Sequence, residues 1–322
     1  MKNINDLLTL NMYRRTICII LIYILGSFLF SDPFKQLDIE FLKKKKQTLP
    51  AQKISKPEKK KSLLPGYNDF TKEFTYINGL LDLYWDEKNN KSYLSIKPSQ
   101  FSDNYLLNIT RQSGDAYYYG GPSMLDEFPF KFKKVGNNIQ LIHINVLFRA
   151  DHEKAISKAV ENDFSHSIIS SSPIVSMPHD STNAILVDAN KLFIRDIGYV
   201  SQHGNGRYSF DYKNSYFLDI KSFIYNTELE ISSHYKSKKP TNSYTLPNSR
   251  SMEIKYHMSI SQLLNNDYHP RIVDDRIGYF STIYQDYTNT LQETQYVRYV
   301  NRWNLKKKSP YQELSEPITP IV

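Results

Sequence analysis

From Met252 to Ile260 every second residue is apolar: Met252, Ile254, Tyr256, Met258 and Ile260 alternate with Glu253, Lys255, His257 and Ser259. Successive side chains of a strand point to opposite faces, so this stretch suits a sheet with one dry face, whereas a helix would scatter the same residues around its circumference. The pattern recurs. Phe223, Tyr225, Leu229 and Ile231 alternate with Asn226, Glu228 and Glu230, and Val297, Tyr299, Trp303 and Leu305 stand against Arg298 and Arg302. Residues 139–148 are mostly apolar on both faces, with Gln140, His143 and Asn145 as the exceptions, which reads as a central strand covered on both sides. Shorter strands are expected at 80–85, 93–96, 105–109 and 279–284. Turn signals separate them at Asn89-Asn90, Gly120-Gly121-Pro122, Gly136-Asn137-Asn138 and Gly204-Asn205-Gly206.

Helical signals are fewer. In 151–164, Ala155, Ile156, Ala159 and Val160 fall on one face and Glu153, Lys154, Lys158 and Glu161 on the other, with Asp151 as the cap. A second, short helix is expected from Asp188, as N-cap, through Phe193. No repeat of constant period emerges, which disfavours a propeller or solenoid. The fold class is therefore mainly β, of the α+β kind, with antiparallel sheets in a sandwich-like arrangement and two or three packed helices. With 322 residues, 25 Tyr and 17 Phe, the chain has ample material for a core.

The net charge of +8 would suggest a nucleic-acid partner if it were spread over a folded surface, but nine lysines and one acid, Glu58, lie between Lys43 and Lys61. That segment alone holds the whole excess, and the remainder of the chain is neutral, so no nucleic-acid partner is expected. Ahead of it, Lys2, Arg14 and Arg15 precede an apolar run over 17–30, followed by Ser31, Asp32 and Pro33. A basic start and an apolar run shorter than the roughly 20 residues of a bilayer span fit a secretory signal, with an uncleaved anchor as the alternative. Met12 is a second candidate start. Cys18, the only cysteine, lies in that run, so a processed protein has no disulfide and no thiol nucleophile. The expected location is outside the cytoplasm: periplasmic, envelope-associated or secreted. The lysine-rich stretch reads as a solvated spacer; contact with an anionic membrane surface is the functional alternative.

Several constellations bear on chemistry. Asp274, Asp275 and Arg276 near His269 offer carboxylates and an imidazole to a metal, but Arg271 and Arg276 oppose a cation, and a buried salt-bridge turn is the favoured reading. His179-Asp180, and Glu161-Asn162-Asp163 with His166, read as ordinary polar pairs. The serine-rich 165–176 has no Gly-x-Ser-x-Gly elbow. Tyr117-Tyr118-Tyr119-Gly120-Gly121 is either a stacking platform or core plus turn. Among the eight histidines no two stand four apart, and the sole His-Glu pair, His152-Glu153, has Ile156 where a second ligand would be needed. The HExxH arrangement, in which two imidazoles on one helical face hold zinc and the glutamate serves as base, is missing.

The closing blocks are HPRIVDDRIGYF from His269, Asp286-Tyr287, RYVNRWNLKKK from Arg298 and LSEPITPIV from Leu314. In that order they resemble the segment leading into the catalytic domain of large secreted bacterial zinc-dependent metallopeptidases. Asn78-Gly79-Leu80 with the following Tyr93-Leu94-Ser95-Ile96, the run VLFRADHEKAISKAVENDFSHSII from Val146, and ILVDANKLF from Ile185 resemble earlier parts of the same family. The glycine-rich loops of that family are thinner here. The resemblance implies a noncatalytic accessory region that supports or covers a catalytic domain, with zinc expected only in that domain and no cofactor in this chain. The partner would be that domain, in cis or from an adjacent gene. The motif residues it singles out, expected to be structural, are Pro270, Arg271, Asp275, Arg276, Gly278, Tyr279, Phe280, Arg302, Trp303, Glu316 and Pro317. The expected organisation is a signal at 1–31, a spacer at 32–62, a small β module at 63–100, a β-rich accessory domain at 101–310 and a linker at 311–322 toward a missing catalytic domain. The alternative function is a free-standing envelope protein that binds a polymer or another protein.

Overall fold

The computed structural model describes residues 64–117, 119–196, 199–203, 207–240, 242–263, 268–288 and 294–318. The expected signal, the spacer with Lys43 and Lys61, Tyr118 and the turn Gly204-Asn205-Gly206 lie outside the described residues. Residues 61–322 cluster as one compact unit.

The fold is mostly strand, with antiparallel sheets. Three strands open it, β1 (Thr75–Ile77), β2 (Asp82–Asp86) and β3 (Lys91–Ile96), and β9 (Ile185–Asp188) adds to them in the order β1-β2-β3-β9. The large sheet takes β4 (Tyr105–Ser113), β5 (Ser123–Val135), β6 (Asn138–His143), β8 (Ser167–Pro173), β10 (Ser209–Phe210), β11 (Tyr216–Ser222), β12 (Asn226–Lys236) and β13 (Ser251–Gln262). Its order is β10-β12-β13-β4-β5-β6-β8, with β11 also on β12. A small sheet joins β7 (Phe148–Arg149), β14 (Ser281–Asp286) and β15 (Gln295–Val300), with β7 parallel to β14. Four short helices are described: α1 (Tyr67–Thr71), α2 (Ile156–Asp163), α3 (Ala189–Phe193) and α4 (Val200–His203).

Alternation builds the core. Met252, Ile254, Tyr256, Met258 and Ile260 of β13 are all buried, as their period-two spacing predicts. Cross-strand register sets Met258 beside Ile109 and Leu107 beside Phe128, so these inward faces form one apolar floor. Leu83, Leu94, Ile96 and Val187 from the four-stranded sheet belong to the same cluster. The two sheets also join through the backbone. The Leu80 N–H donates to the Phe223 carbonyl (2.6 Å) and the Leu81 N–H to Thr227 Oγ1 (3.2 Å). Beyond β8, Ile174 bridges to Val187, and the Val175 N–H donates to the Leu186 carbonyl (2.9 Å). Gly79 makes the first junction feasible: a Cβ there would lie 2.6 Å from the Ser222 carbonyl carbon and 2.7 Å from the Phe223 nitrogen.

Four expectations need correction. Phe223 and Tyr225 are not inward strand residues: they lie in the turn between β11 and β12 and are exposed, so the alternation there runs across a hairpin. Trp303 and Leu305 fall beyond the end of β15 and are exposed. The strand expected over 139–148 stops at His143. The Ile144 N–H donates to the Pro129 carbonyl (2.9 Å), but Pro129 has no N–H with which to return the bond, so the β5–β6 ladder closes there. The helix expected over 151–164 begins only at Ile156. The Asp151 carboxylate accepts from the Glu153 N–H (3.0 Å) in a local turn and does not cap the helix. By contrast, Asp188 caps α3 through its carboxylate and the Lys191 N–H (3.3 Å).

Candidate functional site

Part of the C-terminal motif segment pairs with the small sheet. The Val300 N–H donates to the Arg271 carbonyl (2.8 Å) and the Val273 N–H to the Arg298 carbonyl (3.0 Å), so 271–273 runs along the outer edge of β15. Pro270, just before it, and Gly278, in the following loop, are exposed. Arg276 binds Asp274 through two nitrogens, Nε to Oδ1 at 2.9 Å and Nη2 to Oδ2 at 2.5 Å, and holds the Asp274 carboxyl below its ordinary range. Asp275 pairs instead with Arg298. These pairs are largely in solvent, so the turn is not the buried one expected. Arg302 donates to the His269 carbonyl (2.8 Å) and lies over the Tyr268 ring at 4.8 Å. Farther on, the Lys308 N–H donates to the Glu316 carbonyl (2.8 Å), and Pro317 bridges to Lys307.

What these residues share is exposure. Phe280 is 90% exposed, Tyr296 72% and Trp303 70%, and Ile272, Ile277, Tyr279, Ile283 and Leu305 are exposed as well. On β14 and β15 together only Val300 is buried. Ordinary surfaces scatter large apolar side chains singly, whereas a concentration of them marks an interaction surface.

The other expected constellations stay apart. His166 Nδ1 accepts from the Asn145 N–H (3.1 Å), and His179 Nδ1 from the Ser181 N–H (3.3 Å). His152 Nδ1 lies 3.8 Å from Glu161 Oε1. Tyr117 meets Tyr244 edge-on at 6.5 Å, while Tyr119 turns toward a cavity. Among the described residues no group of three His, Cys, Asp or Glu side chains is placed to hold a metal ion. Among them, too, no helix is long and apolar enough to cross a membrane.

The cavity itself was not anticipated from sequence. It measures about 360 Å³ and lies over the apolar floor, with Leu107, Phe128, Leu141 and Met258 below and Leu192 and Phe193 of α3 beside them. Arg195, Asp196 and Asp126 supply its charge. α3 sets that geometry. The Ser170 hydroxyl donates to the Leu192 carbonyl (2.9 Å) and Asn190 Oδ1 accepts from the Ser92 N–H (2.8 Å), which pins the helix between the two sheets. The chain leaving it delivers Arg195 to the cavity wall. Burial pushes the Arg195 guanidinium down from its ordinary range. Burial, with the nearby Asp196 charge, pushes the Tyr256 phenol up to about 12.

A family model described as Domain of unknown function (DUF5117) matches residues 123–308, more than half of the chain. No curated protein and no solved structure matches it.

Proposed function

This chain belongs to the DUF5117 family, and we propose that it serves as the noncatalytic accessory region of an exported zinc-dependent metallopeptidase. In this reading the exposed hairpin of β14 and β15, with the segment after it, receives the HExxH catalytic domain, which carries the zinc. The observation that carries the reading is the exposure of Phe280, Tyr296 and Trp303 within the segment that resembles the approach to such a domain. Burying side chains of this size against a partner would remove large apolar areas from water, at roughly 25 cal/mol per Å². The chain's own histidines supply no HExxH pair, so hydrolysis belongs to the partner.

The test is direct. The coding region around this gene is expected to contain an HExxH domain, in the same frame or in an adjacent gene. The purified chain alone is expected to leave an unfolded protein substrate intact. Chelator-sensitive hydrolysis by the purified chain would contradict the reading. Absence of any encoded HExxH domain would favour a free-standing envelope binding protein instead.

A further inference from the structure

We propose that the cavity over the large sheet binds an apolar carboxylate: a molecule with one carboxylate on an apolar body, seated against Arg195. Three observations carry this. First, the wall is largely hydrocarbon, and Leu107, Phe128, Leu141, Leu192, Phe193 and Met258 are all buried core residues. Cavities of this kind with a few placed polar groups are the usual form of small-molecule sites.

Second, the only cation on the wall is without a partner. Arg195 makes no hydrogen bond or ion pair among the described residues; its charge feels Tyr199 and Asp196 through space only. The two carboxylates on the same wall are each held at one oxygen, and Asp196 Oδ1 is buried without a hydrogen-bond partner among the described residues. Asp196 Oδ2 accepts from the Ser201 N–H (3.3 Å) and from the Ser201 hydroxyl, and Asp126 Oδ1 accepts from the Glu127 N–H (2.9 Å). A half-buried guanidinium has lost much of its hydration, and a carboxylate is the group that returns two parallel hydrogen bonds to it. A compact apolar ligand would leave that cation unpaired.

Third, the size is right for a body larger than one ring. An apolar cavity of about 150 Å³ takes a benzene molecule, so about 360 Å³ accommodates roughly ten to fourteen carbon atoms. The same chemistry is offered by a medium-chain alkanoate and by the C-terminal end of an apolar peptide.

Calorimetric titration of the full-length chain with dodecanoate, dodecanol, the tripeptide Ala-Leu-Phe and its C-terminal amide tests the proposal. One carboxylate ligand is expected to bind each chain. The matching neutral compound should bind at least about tenfold more weakly, the worth of a charge-assisted hydrogen bond. Arg195→Gln should remove that preference and leave the neutral compound's affinity unchanged. Preference for dodecanoate assigns an alkanoate source, and preference for the peptide acid assigns a peptide end. Because the acid and neutral compounds are compared on the unmodified chain, the comparison stands whether or not the variant folds. Equal affinity for acid and neutral partners, or no binding of any of the four, overturns the proposal.

Discussion

Replacing Gly79 by alanine would drive a methyl group into the backbone at Ser222 and Phe223, where the two sheets are joined. Neither neighbour is a flexible side-chain end, so the junction must open. A loss of about 1–3 kcal/mol is expected, read as a lower urea midpoint; an unchanged midpoint would show that the junction is not tight. His143 makes a second residue-scale case. Its ring stacks on Phe128 with centroids 4.3 Å apart, and burial lowers its pKa from the ordinary 6.5. His166 is lowered too, by burial first and then by Lys131 and Lys133. The folded state therefore favours neutral imidazoles. Their contribution is complete above the unfolded value near 6.5 and is lost as pH falls through the lower folded values. Stability should decline as pH falls below about 6.5, and less steeply in His143→Gln. A decline of the same slope in the variant would remove His143 from the account.

At the scale of elements, β13 carries the central share of the core, and Ile254→Ala should cost about 2–5 kcal/mol through lost burial and a residual cavity. Loss of the cap at α3 by Asp188→Ala should cost about 1 kcal/mol and loosen Arg195 with it; identical melting of variant and parent would argue against the cap. Both elements were legible in the residues, because one face of β13 is buried throughout and Asp188 stands just before an apolar turn. Where legibility failed, a local pattern was overruled by a contact distant in sequence. Phe223 and Tyr225 keep the period of a strand but sit on a hairpin turn. β5 also shows inward alternation at Phe128, Phe130 and Phe132, yet Pro129 among them argues against a strand until its place at the end of a ladder is seen. Arg195 had no local signal at all. Its role depends on α3 being pinned between two sheets, which neighbours in sequence do not disclose.

For the whole molecule, the contrast lies between a dry, continuous core in the two joined sheets and a small third sheet that buries almost nothing. Several residues of the segment singled out by resemblance lie on or beside that third sheet, and most of them are exposed. Central residues of protein interfaces are often aromatic, and their truncation commonly costs 2 kcal/mol or more, about 30-fold in affinity. The most direct measurement is the affinity of this chain for a separately expressed HExxH domain encoded in the same frame or an adjacent gene, compared with that of the Phe280→Ser, Trp303→Ser double variant. The account predicts binding by the parent chain, and weakening by at least about 30-fold in a variant that melts at the parent's temperature. Equal binding by parent and variant, or no binding by either, would contradict it.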